Sequence, residues 1–233
     1  MKGFGERHKS KKKSKKKSKP SKEQIINQAF QFHSQGNISE ATKYYQHLIS
    51  QGCNDHRVFS NYGVILRDLG KLQEAEFSYR KAIELKPDFA EAHSNLGIIL
   101  KDLGNLKEAE ISTRKAIKLQ PDFAEAHLNL GLILKDLGNL EEAEISTRQA
   151  IEIKPDFAGA HFNLGNMLKH LKKLDSAIAS FNKANELGID YNQCLSGIGD
   201  VLLEKGNHTE GISKLKDGEG TIQFDLKYGL SIP

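Results

Sequence analysis

Side chains able to do chemistry recur in this chain at one fixed interval. His93, His127 and His161 stand 34 residues apart, and so do Asn27, Asn61, Asn95, Asn129 and Asn163. Evenly spaced imidazoles raise the question of a metal. Zinc holds its ligands at about 2 Å, and side chains one structural unit apart are several times too distant to share one ion. The histidines therefore read as packing residues, and no metal or cofactor is expected. The asparagines suit another task. A carboxamide both donates and accepts hydrogen bonds, so a row of them can pair with a peptide backbone whatever its side chains. Catalytic patterns are absent: there is no Gly-rich phosphate loop, no His-Glu-x-x-His and no Gly-x-Ser-x-Gly. Cys53 and Cys194 are far apart and have no metal-ligand neighbours, so they read as reduced thiols. The chain is expected not to be an enzyme.

The interval comes from a duplicated stretch. PDFAEAHSNLGIILKDLGNLKEAEISTRKAIKLQ fills 87–120, and PDFAEAHLNLGLILKDLGNLEEAEISTRQAIEIK fills 121–154, with seven differences. Each copy divides into two helical halves. In the first half Ala92, Leu96, Ile99, Leu100 and Leu103 recur at helical spacing. Gly104 ends that helix as a left-handed residue, and Asn105 to Glu108 has the pattern of a capping box for the next. The second half runs through Ala109, Ile111, Ala116 and Ile117 to Pro121, which cannot continue it. A lone helix pair cannot bury its apolar face, so such units must stack.

Taken in order, residues 1–20 are a Lys/Ser-rich tail with almost nothing apolar to bury, and they are expected to be disordered. Residues 1–22 hold ten Lys and one Arg against one Glu, whereas the whole chain is only +4, so the rest is net acidic. The plain reading is a solubilising tail. Binding of nucleic acid, contact with an anionic membrane surface, or folding back on the acidic body are the other readings. Ser21 to Gln24 is a capping box that opens the array. Helical pairs are expected at about 22–52, 56–86, 90–120, 124–154, 158–188 and 192–217, giving an array over 21–217 and a C-terminal extension over 218–233. The last pair looks degraded, because Gly211 and Gly218 replace small alanines at a cost of about 1 kcal/mol each. Thr221 to Leu226 alternates like a strand. It is either an irregular cap or a connector to a further domain. No apolar run approaches the roughly 18 residues of a membrane span, and the basic N-terminus lacks the apolar stretch of a signal peptide. The simplest compartment is the cytoplasm.

These residues resemble the tetratricopeptide repeat (TPR) family. Leu96-Gly97, Leu100, Ala109, Ala116 and Pro121 match its pattern, as do Leu130-Gly131, Leu134, Ala143, Ala150 and Pro155. The match covers roughly 22–217 and is most specific over 56–188. It departs at His93, His127 and His161, where Trp or Tyr is usual, and at Thr113 and Thr147, where Tyr79 and Phe181 keep the aromatic. The resemblance implies an all-α, right-handed superhelix of about six helix-turn-helix units. Within the family, the repeats are similar to the TPR region of protein O-linked N-acetylglucosamine transferases and to bacterial TPR proteins joined to transferase-like domains. No such catalytic domain fits in the remaining residues.

Helical geometry sets Glu91, Asn95, Ile98 and Asp102 opposite the sector of His93, Leu96, Gly97 and Leu100. The equivalent set is Arg57, Asn61, Val64 and Asp68 one unit earlier, and Glu125, Asn129, Leu132 and Asp136 one unit later. The expected binding groove is therefore lined by Asn27, Asn61, Asn95, Asn129 and Asn163, beside Val64, Ile98 and Leu132 and the carboxylates Asp68, Asp102 and Asp136. The resembling transferases carry such an asparagine ladder on their inner TPR surface. The plainer alternative is surface polarity kept by duplication. The expected function is a non-catalytic scaffold that binds a protein or peptide segment. The alternative is a substrate-recognition or accessory subunit with a glycosyltransferase-type partner, and nucleic acid would be bound only through the basic tail.

Overall fold

The structure, a computed structural model, describes residues 20–219 together with 223–225 and 229–231. The tail over 1–19 lies outside the described residues. Contacts divide the chain into two units, Met1–Cys53 and Asn54–Pro233.

The first unit is one antiparallel pair, α1 (Lys22–Ser34) and α2 (Ile38–Ser50). Ser21 and Gln24 close a reciprocal capping box, with Ser21 N–H donating to Gln24 Oε1 at 2.7 Å and Gln24 N–H donating to Ser21 Oγ at 3.2 Å. The Asn37 side chain caps α2 by accepting from Glu40 N–H. Ile26, Ala29, Ala41, Tyr45, Leu48 and Cys53 are buried.

The second unit holds five more pairs: α3 (His56–Asp68) with α4 (Leu72–Leu85), α5 (Ala90–Asp102) with α6 (Leu106–Leu119), α7 (Ala124–Asp136) with α8 (Leu140–Ile153), α9 (Ala158–His170) with α10 (Leu174–Glu186), and α11 (Tyr191–Glu204) with α12 (His208–Glu219). Two short strands follow, β1 (Gln223–Asp225) and β2 (Gly229–Ser231), paired antiparallel with Phe224 opposite Leu230. The fold is thus an all-α repeat, with six helix-turn-helix pairs among the described residues.

Local chemistry explains the repeat. After Asp102, Gly104 takes φ 81°, and the amides of Gly104 and Asn105 bond back to Lys101 and Leu100. This glycine-closed end reverses the chain in three residues. Gln120 turns extended before Pro121 and stops α6. Inside each pair of the second unit a glycine lets the helices close. A Cβ on Gly97 would sit 2.0 Å from Thr113 Oγ1, and on Gly165 it would sit 2.8 Å from the Phe181 ring. The ring in one unit and the hydroxyl in another fill the same space. The Thr113 hydroxyl donates to Ala109 O at 2.9 Å, which satisfies it.

Three expectations change. Asn105 and Asn139 stand at N-cap positions but make no side-chain cap bond. Ile111 does not join the core of α6: it is 70% exposed. Gly211 and Gly218 are not mere defects, because α12 continues through both to Glu219 and packs closely on α11.

Candidate peptide groove and the opposite clefts

The first helices of successive pairs touch directly: α5 meets α7, α7 meets α9 and α9 meets α11. The second helices are bridged by long side chains, Arg80 to Glu108 at 2.7 Å and Arg114 to Glu142 at 2.5 Å. Within the second unit, then, the first-helix side is the more closely drawn of the two.

That side carries Asn61, Asn95, Asn129 and Asn163, all half-buried. They do not point freely outward as the sequence suggests, because three spend a donor on the protein. Asn61 Nδ2 donates to Arg57 O at 2.9 Å and Asn163 Nδ2 to Gly159 O at 2.8 Å. Asn129 Nδ2 reaches across to Ser94 Oγ of the preceding unit at 3.1 Å. Each still offers a carbonyl oxygen and a second N–H. The Asn95 side chain has no hydrogen-bond partner among the described residues. Asn27 belongs to the first unit, where it is exposed in a cleft of about 500 Å³ with Gln24, Gln28, Gln31 and Tyr44.

The flanking side chains also serve the fold. Val64, Ile98 and Leu132 are half-buried, and Leu132 packs against the clusters of Leu130, Leu134 and Met167 and of Leu128, Ala150 and Ala160. Asp68, Asp102 and Asp136 are exposed, but the stripe is not bare negative charge. Asp68 pairs with Arg67 at 3.0 Å, Asp102 with Lys101 at 3.0 Å, and Asp136 with Lys135 at 3.5 Å and with Lys101 at 3.9 Å. Rows of opposite charge replace the acidic stripe. At the first position of the face, the hydrogen bond from Arg57 holds the Asp55 carboxyl below the usual carboxylate range, outweighing its burial.

On the opposite side lie three equivalent clefts, of about 480, 340 and 510 Å³. His93, His127 and His161 stand at their walls, half-buried instead of packed inside. Each ring Nε2 lies 2.9–3.0 Å from a proline carbonyl of its own turn, Pro87, Pro121 or Pro155. Among the described residues no three His, Cys, Asp or Glu side chains gather as metal ligands. Ile111 and Ile145 line two of these clefts, and Phe77 takes the same register on α4, all three with 67–70% exposure. Sequence reasoning missed them as surface residues. Their own 34-residue spacing was the available signal. The Glu144 carboxyl on α8 is only 8% exposed. Burial pushes it up, but hydrogen bonds from Lys173 and Arg148 outweigh burial and hold it below its usual range.

Comparisons with known proteins agree with this architecture. Models of the TPR family match residues 63–104 and 158–187, and the tetratricopeptide repeat model matches 90–123 and 124–157. No curated protein matches the chain by sequence. Among solved structures, PilW, a widely conserved type IV pilus biogenesis factor, superposes with TM-score 0.77 at 19% identity, covering 86% of this chain and 93% of its own. PilF of Pseudomonas aeruginosa gives 0.72 at 15% identity, covering 84% and 90%. YrrB, a TPR protein with an unusual peptide-binding site, gives 0.61 at 22% identity, covering 76% and 92%. At these identities the likeness is one of fold. No helix among the described residues is long and apolar enough to cross a membrane.

Proposed function

Because the chain belongs to the tetratricopeptide repeat family, a family of protein-interaction scaffolds, we propose that it binds an extended peptide segment along the first-helix side of its array and performs no chemistry on it. The observation that carries this reading is the row Asn61, Asn95, Asn129 and Asn163, in which each amide keeps an unused acceptor and donor, the first three beside a half-buried aliphatic and a charged pair. Equivalent packed helices lie about 10 Å apart, and an extended chain advances about 3.3 Å per residue, so the row meets roughly every third residue of a ligand. The backbone contacts set affinity, and Val64, Ile98 and Leu132 set the preference for apolar side chains between them. The alternating Asp and Lys rows favour a ligand with mixed charge over a purely basic one.

The test is capture of bound proteins by the wild type and by the Asn95→Ala, Asn129→Ala variant, identified by mass spectrometry. Peptides from the captured partner are then titrated against both. Loss of a carboxamide contact from each of two units predicts an affinity drop of at least about tenfold. Asn95→Ala alone is the cleaner probe, since Asn129 also holds Ser94. Equal affinity for wild type and variant would remove the ladder from the binding site.

A further inference from the structure

The second-helix face of the array carries a pattern that the peptide groove does not use. Phe77, Ile111 and Ile145 occupy one register on α4, α6 and α8, each largely exposed. Ala179 takes that register on α10, where it lines the cleft of about 510 Å³. The twin units differ at seven positions, and three of these lie on this face: Lys107 against Glu141, Lys115 against Gln149, and Lys118 against Glu152. All six side chains are exposed. At helical pitch Lys107, Ile111, Arg114, Lys115 and Lys118 share a sector of about 100°. The result is two adjacent helices of opposite sign. α6 holds four cationic side chains against two carboxylates, and α8 holds one against four.

We propose that this face pairs with a second copy of the chain around a two-fold axis that runs parallel to α6 and α8 and midway between them. Both helices are 14 residues long and equivalent in register. The rotation therefore lays α6 of one copy level with α8 of the other. Lys107 then meets Glu141, Lys118 meets Glu152 and Ile111 meets Ile145, each twice by symmetry. Phe77 meets Ala179, large against small. A two-fold axis along the stack would instead set α6 on α6 and Lys on Lys, which like charge opposes. Arg114 and Arg148 also face each other, but each is already held by its own chain. Arg114 lies 2.9 Å from Glu110 and 2.5 Å from Glu142, and Arg148 lies 2.9 Å from Glu144.

The contact is small. Two helices about 20 Å long and about 10 Å apart present roughly 400 Å² per copy, below the standard interface and within the reversible class. This pairing is independent of the peptide groove, because no residue of the asparagine row lies on the face.

Sedimentation velocity of the full chain from about 5 µM to about 500 µM spans the range where a contact of this size is half-formed. The wild type is expected to show a concentration-dependent dimer that weakens as salt is raised. Lys107→Glu with Lys118→Glu sets Glu against Glu at both paired positions, and Glu141→Lys with Glu152→Lys sets Lys against Lys there. Each variant alone is expected to raise the dissociation constant at least about tenfold, with unchanged helical circular dichroism because only exposed side chains change. Mixed one to one, the two variants are expected to form a heterodimer at least as tight as the wild-type dimer. A wild type that stays monomeric throughout overturns the proposal. So does a dimer indifferent to the substitutions, or a mixture that stays monomeric.

Discussion

Tyr79 shows how a repeat can keep a side chain that its position does not fully satisfy. The ring is wholly buried against Gly63, and its hydroxyl has no hydrogen-bond partner among the described residues. Burial pushes the phenol well above its usual range, as it does for Tyr45. Tyr45 differs in that its hydroxyl lies 3.3 Å from His33 Nδ1. An unpaired buried polar atom costs about 1–3 kcal/mol, whereas a paired one roughly offsets its desolvation. Tyr79→Phe keeps the ring and deletes the orphan, so it is expected to raise the unfolding free energy by about 1 kcal/mol. Tyr45→Phe removes a bonded hydroxyl and is expected to be neutral or destabilising. Urea denaturation of the two variants beside wild type measures this difference, and a less stable Tyr79→Phe would show that the hydroxyl is satisfied by solvent. The register of this side chain was legible from the sequence, since Tyr79 sits where Thr113, Thr147 and Phe181 recur. Its missing partner was not, because that depends on which atoms the facing helix brings to the hydroxyl.

At the scale of the helix, local signals were easy to read and neighbour-dependent ones were not. The twin units, Gly104 and Pro121 mark where helices begin and end, because these effects act within a few residues along the chain. Ile111 reads as core because its spacing is helical, yet a helix has several apolar registers, and only the positions of α5 and α7 decide which is covered. Lys101 and Asp136 lie on different helices, so their pairing was invisible to a stripe drawn within one. The same distinction bears on Gly211. Helix propensity alone predicts that alanine there would gain about 1 kcal/mol. In the fold a Cβ at Gly211 would lie 2.9 Å from Leu203 Cδ2 and 3.0 Å from the Gly199 carbonyl, and Gly199 is equally close to Leu215. α11 and α12 thus approach backbone to backbone, and a backbone carbonyl cannot turn aside as a flexible side chain can. Overpacking of this kind costs about 1–3 kcal/mol, which outweighs the propensity gain. Gly211→Ala is expected to destabilise the final pair, seen as faster amide hydrogen exchange over 191–219 with little change over 90–154. Slower exchange there would mean that propensity governs and that the helix contact is loose.

At the scale of the array, each unit contacts mainly its neighbours, so stability is a sum of unit and interface terms. The near-identity of 87–120 and 121–154 permits a direct test, which is removal of 87–120 so that Lys86 is followed by Pro121. The deletion keeps the 34-residue register, and the new interface finds equivalent partners. Arg80 now bonds Glu108 across α4 and α6 at 2.7 Å, and Glu142 stands where Glu108 stood. Asn129 now donates to Ser94, and Ser60, at 7% exposure beside Asn61, supplies the same hydroxyl one unit earlier. His127 keeps its bond to the Pro121 carbonyl, because both residues belong to the retained unit. The shortened chain is therefore expected to fold with unchanged helicity per residue, unfold in one transition, and do so at lower denaturant, having lost one unit and one interface. It also loses α6, the cationic half of the second-helix face. Its new neighbours there, α4 and α8, both carry more carboxylates than cations, so the two-fold pairing has no opposite charge to meet. The shortened chain should sediment as a monomer at concentrations where the parent dimerises, while peptide binding weakens only by the contacts of one unit. An unfolded product would show that the twin units depend on contacts beyond their neighbours, and a dimer of unchanged strength would place the self-pairing surface away from α6.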